Sequence, residues 1–146
     1  MTEKKNLKLI IGIVVVICIA IVTVLMFMGG GSKSVEGVWI VDSYTLDNKD
    51  ATADDVGAYY GTNYSEGNKL FSVEFTSDGK ATLTIPVYDG SGNTEQKVCD
   101  YEIKGNSVVL IAGNESVKAF KIKGDVLVAE KFINLYDNVE VFLKQK

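Results

Sequence analysis

Residues 70–86 read LFSVEFTSDGKATLTIP, two runs of alternating apolar and polar residues joined by Asp-Gly at 78–79. The first run places its apolar residues Phe71, Val73 and Phe75 on one side. Because successive side chains of a strand point to opposite faces, the pattern predicts two half-buried strands. Asp-Gly favours the positive φ angles of a type I′ turn, so the stretch predicts a β-hairpin.

The same alternation recurs over the rest of the chain, with turns that combine Gly with Asn or Asp. One apolar and one polar face on each run predict an antiparallel sheet that curls and closes on itself. We therefore predict an all-β fold, an eight-stranded antiparallel meander barrel. The predicted strands are Val38–Tyr44, Leu70–Thr76, Lys80–Pro86, Lys97–Ile103, Ser107–Ala112, Ser116–Ile122, Val126–Phe132 and Val139–Lys144.

One segment departs from the strand pattern. Residues 52–60 begin with Thr52, a residue that caps helices well, and continue with acidic residues in the first turn. Apolar Val56, Tyr59 and Tyr60 then follow at helical spacing. We predict one short helix here, lying over one end of the barrel.

The N-terminal part predicts a membrane anchor. Leu9–Met28 is a stretch of 20 residues without a charge, and 14 of them are Leu, Ile, Val or Phe. As a helix it would span about 30 Å, the thickness of the hydrocarbon core of a bilayer. A cleaved signal peptide has a shorter apolar region and a small-residue cleavage site, so an uncleaved transmembrane helix is the better interpretation.

Lysines set the predicted orientation of this span. Lys4, Lys5 and Lys8 precede it, whereas only Lys33 follows closely. The positive-inside rule then places residues 1–8 in the cytoplasm and the C-terminal domain outside the cell. Residues 29–35 contain GGGSKS and predict a flexible tether, and residues 36–146 form the predicted barrel domain. The expected localisation is a single-pass protein of the cell membrane, with the lipid bilayer contacting residues 9–28.

Composition excludes several classes of function. The chain contains no His and no Arg, which removes imidazole-based catalysis and the common zinc sites. Residues 34–146 carry 11 Lys against 18 Asp and Glu, a net charge of −7. Such an acidic domain is poorly suited to phosphate backbones, so no nucleic-acid partner is expected. No motif indicates an enzyme, a metal site or a cofactor.

A family resemblance rests on Gly37-Val38-Trp39 in the first strand, the long first connection with its helix, and the hairpins that follow. These features resemble lipocalin-like (calycin-type) barrels. They are similar to the small outer domains of uncharacterised membrane-anchored proteins of low-GC Gram-positive bacteria. The resemblance implies that Trp39 closes the base of the barrel beneath an Arg from a late strand. The chain lacks Arg, and Lys144 could replace it only as a point charge.

The candidate ligand-binding residues are aromatic. Three belong to the predicted interior, and three lie in and after the predicted helix, where they form either a lid or a segment packed on the barrel rim. Together they are Trp39, Phe71 and Tyr101, and Tyr59, Tyr60 and Tyr64.

Two other groups have structural interpretations. Cys99 shares its side with Tyr101 and Ile103, which predicts a small buried apolar residue rather than a reactive thiol. The oxygen-rich stretch 47–55 lacks the spacing of an EF-hand loop, so a solvated loop is favoured over a calcium site.

Two functions remain from the sequence. The favoured one is a non-enzymatic interaction module whose filled or nearly filled barrel docks a component of the cell envelope. The alternative is a binding protein that holds a small apolar or amphipathic ligand inside the barrel. Interior volume separates the two, because ligand pockets measure about 300 Å³ or more.

Overall fold

The computed structural model describes residues 34–130 and 136–146. The predicted cytoplasmic residues 1–8, the span Leu9–Met28 and the tether up to residue 33 lie outside this part of the chain. So do the last two residues of the predicted strand Val126–Phe132. Within the described residues, no helix combines the length and the apolar character needed to cross a bilayer.

Nine strands and two helices make up the described part. Their bounds are β1 Gly37–Leu46, β2 Lys49–Ala51, α1 Ala53–Tyr60, α2 Thr62–Asn68, β3 Ser72–Phe75, β4 Lys80–Pro86, β5 Thr94–Lys104, β6 Ser107–Ala112, β7 Glu115–Lys123, β8 Val126–Ala129 and β9 Val139–Gln145.

All pairings between these strands are antiparallel. Eight of the nine strands close into a barrel in the order β1-β3-β4-β5-β6-β7-β8-β9. Closure comes from β1 and β9, which pair from Trp39 opposite Gln145 to Leu46 opposite Val139. The short strand β2 lies outside this ring and pairs with the end of β1. The eight-stranded antiparallel meander barrel predicted from the sequence is therefore confirmed.

The barrel has two different ends. At one end, here called the base, β1 begins, β9 ends, and tight turns join β3 to β4, β5 to β6 and β7 to β8. At the other, here called the helix end, β1 leads through β2 into the helices, and β4 leads into the 87–93 loop. The β6–β7 turn and the start of β9 also lie at the helix end.

Turn chemistry explains the connections, with one correction. The type I′ turn predicted at Asp78-Gly79 is wrong, because only Gly79 has a positive φ, at 81°. Its N–H donates to the Thr76 carbonyl at 3.1 Å, which gives a type I turn followed by a glycine bulge. Both positive φ angles of a type I′ turn occur instead at Asp47 and Asn48, which join β1 to β2.

The first helix follows the prediction closely. Thr52 is the N-cap, and its hydroxyl accepts from the Asp55 N–H at 3.2 Å. The Asp55 carboxylate accepts in return from the Thr52 N–H at 2.8 Å, which completes a capping box. The Thr52 backbone N–H and hydroxyl both donate to this carboxylate and lower the pKa of Asp55. The second helix, α2, was not predicted, and the fold therefore has two short helices rather than one.

The base and centre of the barrel are filled with side chains. Trp39 is 6% exposed, and its indole N–H donates to the Val35 carbonyl at 2.7 Å. Phe71, Phe75 and Phe120 are almost completely buried. Phe120 lies 6.4 Å from Phe71 and 6.1 Å from Phe75 between ring centroids, so the three rings meet across the interior.

Candidate ligand-binding cavity

A cavity of about 440 Å³ opens at the helix end of the barrel, between β4, β5, β6 and β7. Its lining is mainly apolar, and most lining residues belong to the inner faces of these four strands. The lining consists of Leu83, Ile85, Lys97, Val98, Cys99, Leu110, Ala112, Glu115, Ser116 and Val117.

Unequal strand lengths create this space. β5 pairs with β4 from Thr94 to Asp100, but its pairing with β6 begins only at Asp100 opposite Ile111. The first six residues of β5 therefore have no ladder partner on the β6 side. At about 3.4 Å per residue, β5 continues about 20 Å beyond its last pair with β6. The barrel wall is open along this overhang, and the cavity lies beside it.

Small side chains widen the cavity. Cys99 and Ala112 occupy inner-face positions at which bulkier residues would fill the interior. The Cys99 thiol is half-buried and forms no disulfide among the described residues. Burial raises its pKa, and a hydrogen bond with the backbone of Ile111 acts in the opposite direction. The predicted inward orientation of Cys99 agrees with its place in the lining, although it is only partly buried.

Two charged side chains belong to the mainly apolar lining. In the β4–β5 ladder, Lys97 lies opposite the inner-face residue Leu83. In the β6–β7 ladder, Glu115 lies opposite the lining residue Ala112. In the described part of the chain, neither side chain forms an ion pair or a side-chain hydrogen bond. The cavity thus presents one positive and one negative group at its opening.

Three of the predicted ligand residues belong to the filled part of the barrel. Trp39 lies at the base, and Phe71 packs on Phe120. Tyr101 packs edge-on against Phe75 at 4.8 Å, and its hydroxyl donates to the Thr76 carbonyl at 3.0 Å. These residues contribute to the core beneath the cavity rather than to its lining.

The other three predicted residues lie in the two helices and differ in how far they are exposed to solvent. Tyr59 is 63% exposed, whereas Tyr64 is 4% exposed. Tyr60 stacks on Tyr136 at 3.7 Å between ring centroids and donates a hydrogen bond to Asn138. Tyr60 and Tyr64 are thus packed on the rim, while Tyr59 faces solvent. None of the six predicted residues lines the cavity, and their role in ligand binding stays a prediction.

A buried polar cluster lies under α2. The Tyr88 hydroxyl donates to the Asn68 side-chain oxygen at 2.7 Å, and Asn68 is fully buried. Tyr44 lies close by, and burial raises its pKa to about 12. The Asn68 side chain opposes this rise, and neither the Tyr44 hydroxyl nor the Asn68 side-chain nitrogen has a further hydrogen-bond partner among the described residues. This cluster joins α2 to the barrel and to the 87–93 loop.

Lys144 does not cover Trp39. It pairs with Ile40 and is exposed on the outer face, whereas Gln145 pairs with Trp39. The Gln145 side-chain N–H donates to the Glu36 carbonyl at 2.6 Å. The late-strand group that bonds to the chain just before β1 is therefore the side-chain amide of Gln145, and not the ammonium group of Lys144.

The acidic stretch 47–55 has structural roles. Asp47 forms the β1–β2 turn and accepts from the Asn138 side-chain amide at 3.1 Å, and Asp55 caps α1. Across residues 34–130 and 136–146, no group of three or more Cys, Asp or Glu side chains is placed to hold a metal ion.

Two further depressions are poorer candidates. One of about 630 Å³ borders residues 130 and 136, and five of its nine lining residues are charged. The other, about 460 Å³, lies between α2 and the 87–93 loop and is lined largely by glycine and polar residues. Ligand pockets are mainly apolar with a few polar groups, which favours the cavity beside β5.

Sequence reasoning missed the lining residues, although one signal was available. Lys97 occupies the same face as Cys99 and Tyr101 in its predicted strand, so a charge was placed on an otherwise apolar face. A charged residue at such a position indicates that the interior is open to water there.

No protein-family model and no curated protein matches the chain. Solved structures similar to it include a lipocalin-like protein from Bacteroides uniformis, 12% identical, with 76% of this chain and 97% of that chain covered and a TM-score of 0.44. A DUF4847 family protein from Bacteroides vulgatus is 13% identical over 76% of this chain and 93% of that chain, with a TM-score of 0.45. These likenesses are too weak to assign a family. The assignment of a barrel depends on the strand pairing of this chain alone.

Proposed function

We propose that the barrel binds a small apolar or amphipathic ligand in the cavity beside β5. The cavity of about 440 Å³ carries this proposal, since it exceeds the volume of about 300 Å³ from which ligand pockets begin. The filled base supports it as well, because a packed core keeps the barrel rigid while the helix end stays open. The protein acts in this proposal by binding, without catalysis.

The same proposal places the barrel outside the cell on a single-pass anchor. The uncharged span 9–28 and the lysines before it support this arrangement. Protease treatment of intact cells is the test. We expect residues 34–146 to be digested while a tag at the N-terminus stays protected, and digestion of the tag with protection of residues 34–146 would contradict the orientation.

Ligand binding is tested through Cys99, which lies in the cavity lining. The full chain carrying Cys18→Ser, in lipid nanodiscs, has Cys99 as its sole thiol, and its alkylation by N-ethylmaleimide is followed by intact mass. We expect butyl, hexyl and octyl glucoside to slow the reaction with increasing chain length, because each added methylene is worth about 0.8 kcal/mol when buried.

A cavity-filling variant supplies the control. Ala112→Trp fills the site and should abolish protection by the glucosides, whereas Ala58→Trp, on an exposed position of α1, should leave it unchanged. An alkylation rate that no glucoside changes in the parent chain would contradict the proposed function.

A second candidate is the interaction module favoured by the sequence, with a partner from the cell envelope bound to the outer surface. The net charge of −7 over residues 34–146 and the exposure of Tyr59 favour it. Crosslinking in native membranes through a photoreactive residue in place of Tyr59 tests this candidate. An adduct with a defined envelope component is expected if it is correct, and crosslinks to lipid alone would contradict it.

A further inference from the structure

The charges at the cavity opening bear on the kind of ligand that fits, given that the cavity is the binding site proposed above. Lys97 and Glu115 are the charged residues of the lining, and each lies next to apolar neighbours such as Leu83 and Val117. From the strand spacing of about 4.8 Å and the rise of about 3.4 Å per residue, their Cα atoms lie about 12 Å apart.

Neither charge has a partner among the described residues, although other charges of the barrel do. Lys80 pairs with Asp100, and Lys104 pairs with Glu102 at 2.6 Å, both on strands that border the cavity. Over the residues that the structure describes, Lys97 and Glu115 form no such pair, and they are the charged residues that line the cavity, so their ionic groups are available at its opening. The overhang of β5 leaves the wall open beside Lys97, so a polar group can lie there in contact with water.

We propose that the ligand is a single-chain amphiphile whose polar end carries one cationic and one anionic group. The apolar chain would occupy the cavity, whose volume corresponds to about fifteen water-sized groups. The anionic group would contact Lys97, and the cationic group would contact Glu115. A ligand with a single charge would gain one of these contacts and be repelled at the other, because like charges in a partly desolvated site oppose binding.

The test uses the full chain with Cys18→Ser in nanodiscs and the alkylation of Cys99 as the readout. The probes share an eight-carbon apolar chain and differ in the polar end. N-octyl betaine and octylphosphocholine carry both charges, nonanoate is anionic, octyltrimethylammonium is cationic, and octyl glucoside is neutral. The two zwitterions distinguish an ammonium–carboxylate headgroup from a phosphate–ammonium headgroup.

We expect at least one zwitterion to protect Cys99 at a concentration about fivefold lower than the other three types of probe. Lys97→Gln and Glu115→Gln should each weaken the zwitterion about twofold to fivefold, the range expected for a partly exposed ion pair. Matched variants at exposed outer positions, Lys123→Gln and Glu74→Gln, should leave its affinity unchanged.

The outcomes separate this inference from the proposed function. Equal protection by all five probes, or a zwitterion affinity that neither cavity variant changes, would overturn the headgroup assignment and leave the cavity as a binding site. Preference for nonanoate or for octyltrimethylammonium would likewise overturn it. Protection by none of the probes would overturn the proposed function itself. Fluorescence of Trp39, the single tryptophan, verifies that each variant is folded.

Discussion

Two alanines of the inner face provide a direct comparison between the filled part of the barrel and its cavity. Ala81 on β4 is 0% exposed, whereas Ala112 on β6 is exposed and lines the cavity. Replacing each with leucine adds the same three carbon atoms. The two variants therefore differ only in the space that the barrel offers to those atoms.

The expected energies have opposite signs. At Ala81 the added carbons meet a packed core, and overpacking of this kind lowers the free energy of unfolding by about 1–3 kcal/mol. At Ala112 they enter empty, water-accessible space. Full burial of three methylene groups would be worth about 2.4 kcal/mol, so the partial burial available there should stabilise the barrel by up to about 1 kcal/mol.

Urea unfolding of residues 34–146, followed by Trp39 fluorescence, measures both changes. These residues include the whole compact unit Val35–Lys146, and Trp39 lies in its core. With a denaturant dependence of about 1–3 kcal/mol per molar, the midpoint of Ala81→Leu should fall by about 1 M. The midpoint of Ala112→Leu should stay constant or rise. Equal losses in the two variants would refute the reasoning, since they would mean that no cavity exists at Ala112.

Three other predictions concern the helix end. Thr52→Ala removes the cap of α1 and should lower the free energy of unfolding by about 1 kcal/mol, measured by urea unfolding, with a change below the experimental error contradicting the capping box. Gly67→Ala would place a Cβ 2.5 Å from the Tyr88 ring, and this overpacking costs about 1–3 kcal/mol, against which the better helix propensity of Ala returns about 1 kcal/mol. We therefore expect a net loss of up to about 2 kcal/mol in the same assay, and a rise of the midpoint by the full helix-propensity gain would show that α2 does not pack on Tyr88. The raised pKa of Tyr44, about 12 against about 10 in an unfolded chain, adds stability that is complete below pH 10 and is lost as the pH rises toward 12. Tyr44→Phe should therefore make the decline in unfolding free energy over this range less steep, while Tyr88, whose pKa burial also raises, still contributes to it. At pH 7 the variant should change the unfolding free energy by less than about 1 kcal/mol. An alkaline decline of unaltered steepness would exclude a contribution from Tyr44.

The barrel could be predicted from the sequence because its signals are local. Alternation and tight turns define β4 and β6 so well that their predicted and observed bounds agree, Lys80–Pro86 and Ser107–Ala112. The capping residues of α1 are equally local, since Thr52 and Asp55 lie three positions apart. For these two strands, the turn residues and the apolar alternation indicate the same ends, so the bounds can be predicted without knowing which strands lie alongside.

The second helix depends on contacts from distant parts of the chain. Its residues Thr62–Asn68, with the sequence TNYSEGN, are poor helix formers, and no side chain caps its start. Tyr64 and Asn68 are buried in the tertiary structure, and Gly67 lies against Tyr88. Tertiary packing therefore stabilises a helix that its own residues favour only weakly. The local sequence pattern does not reveal this packing.

The cavity was missed for a related reason. The predicted strand begins at Lys97, whereas β5 begins at Thr94, because Thr94, Glu95 and Gln96 show no apolar alternation. The overhang that opens the wall includes these three residues. Its existence depends on the difference in length between β5 and β6, a relation between two strands that neither strand reveals alone.

The most direct test of the cavity as a binding site is crystallography with a heavy-atom probe. Crystals of residues 34–146 would be soaked with 8-bromooctyl glucoside, and the bromine would be located by its anomalous signal. We predict a bromine peak between the inner faces of β5 and β7, within contact distance of Cys99 and Val117. A cavity occupied by ordered water or by repacked side chains, with bromine only on outer surfaces, would contradict the account.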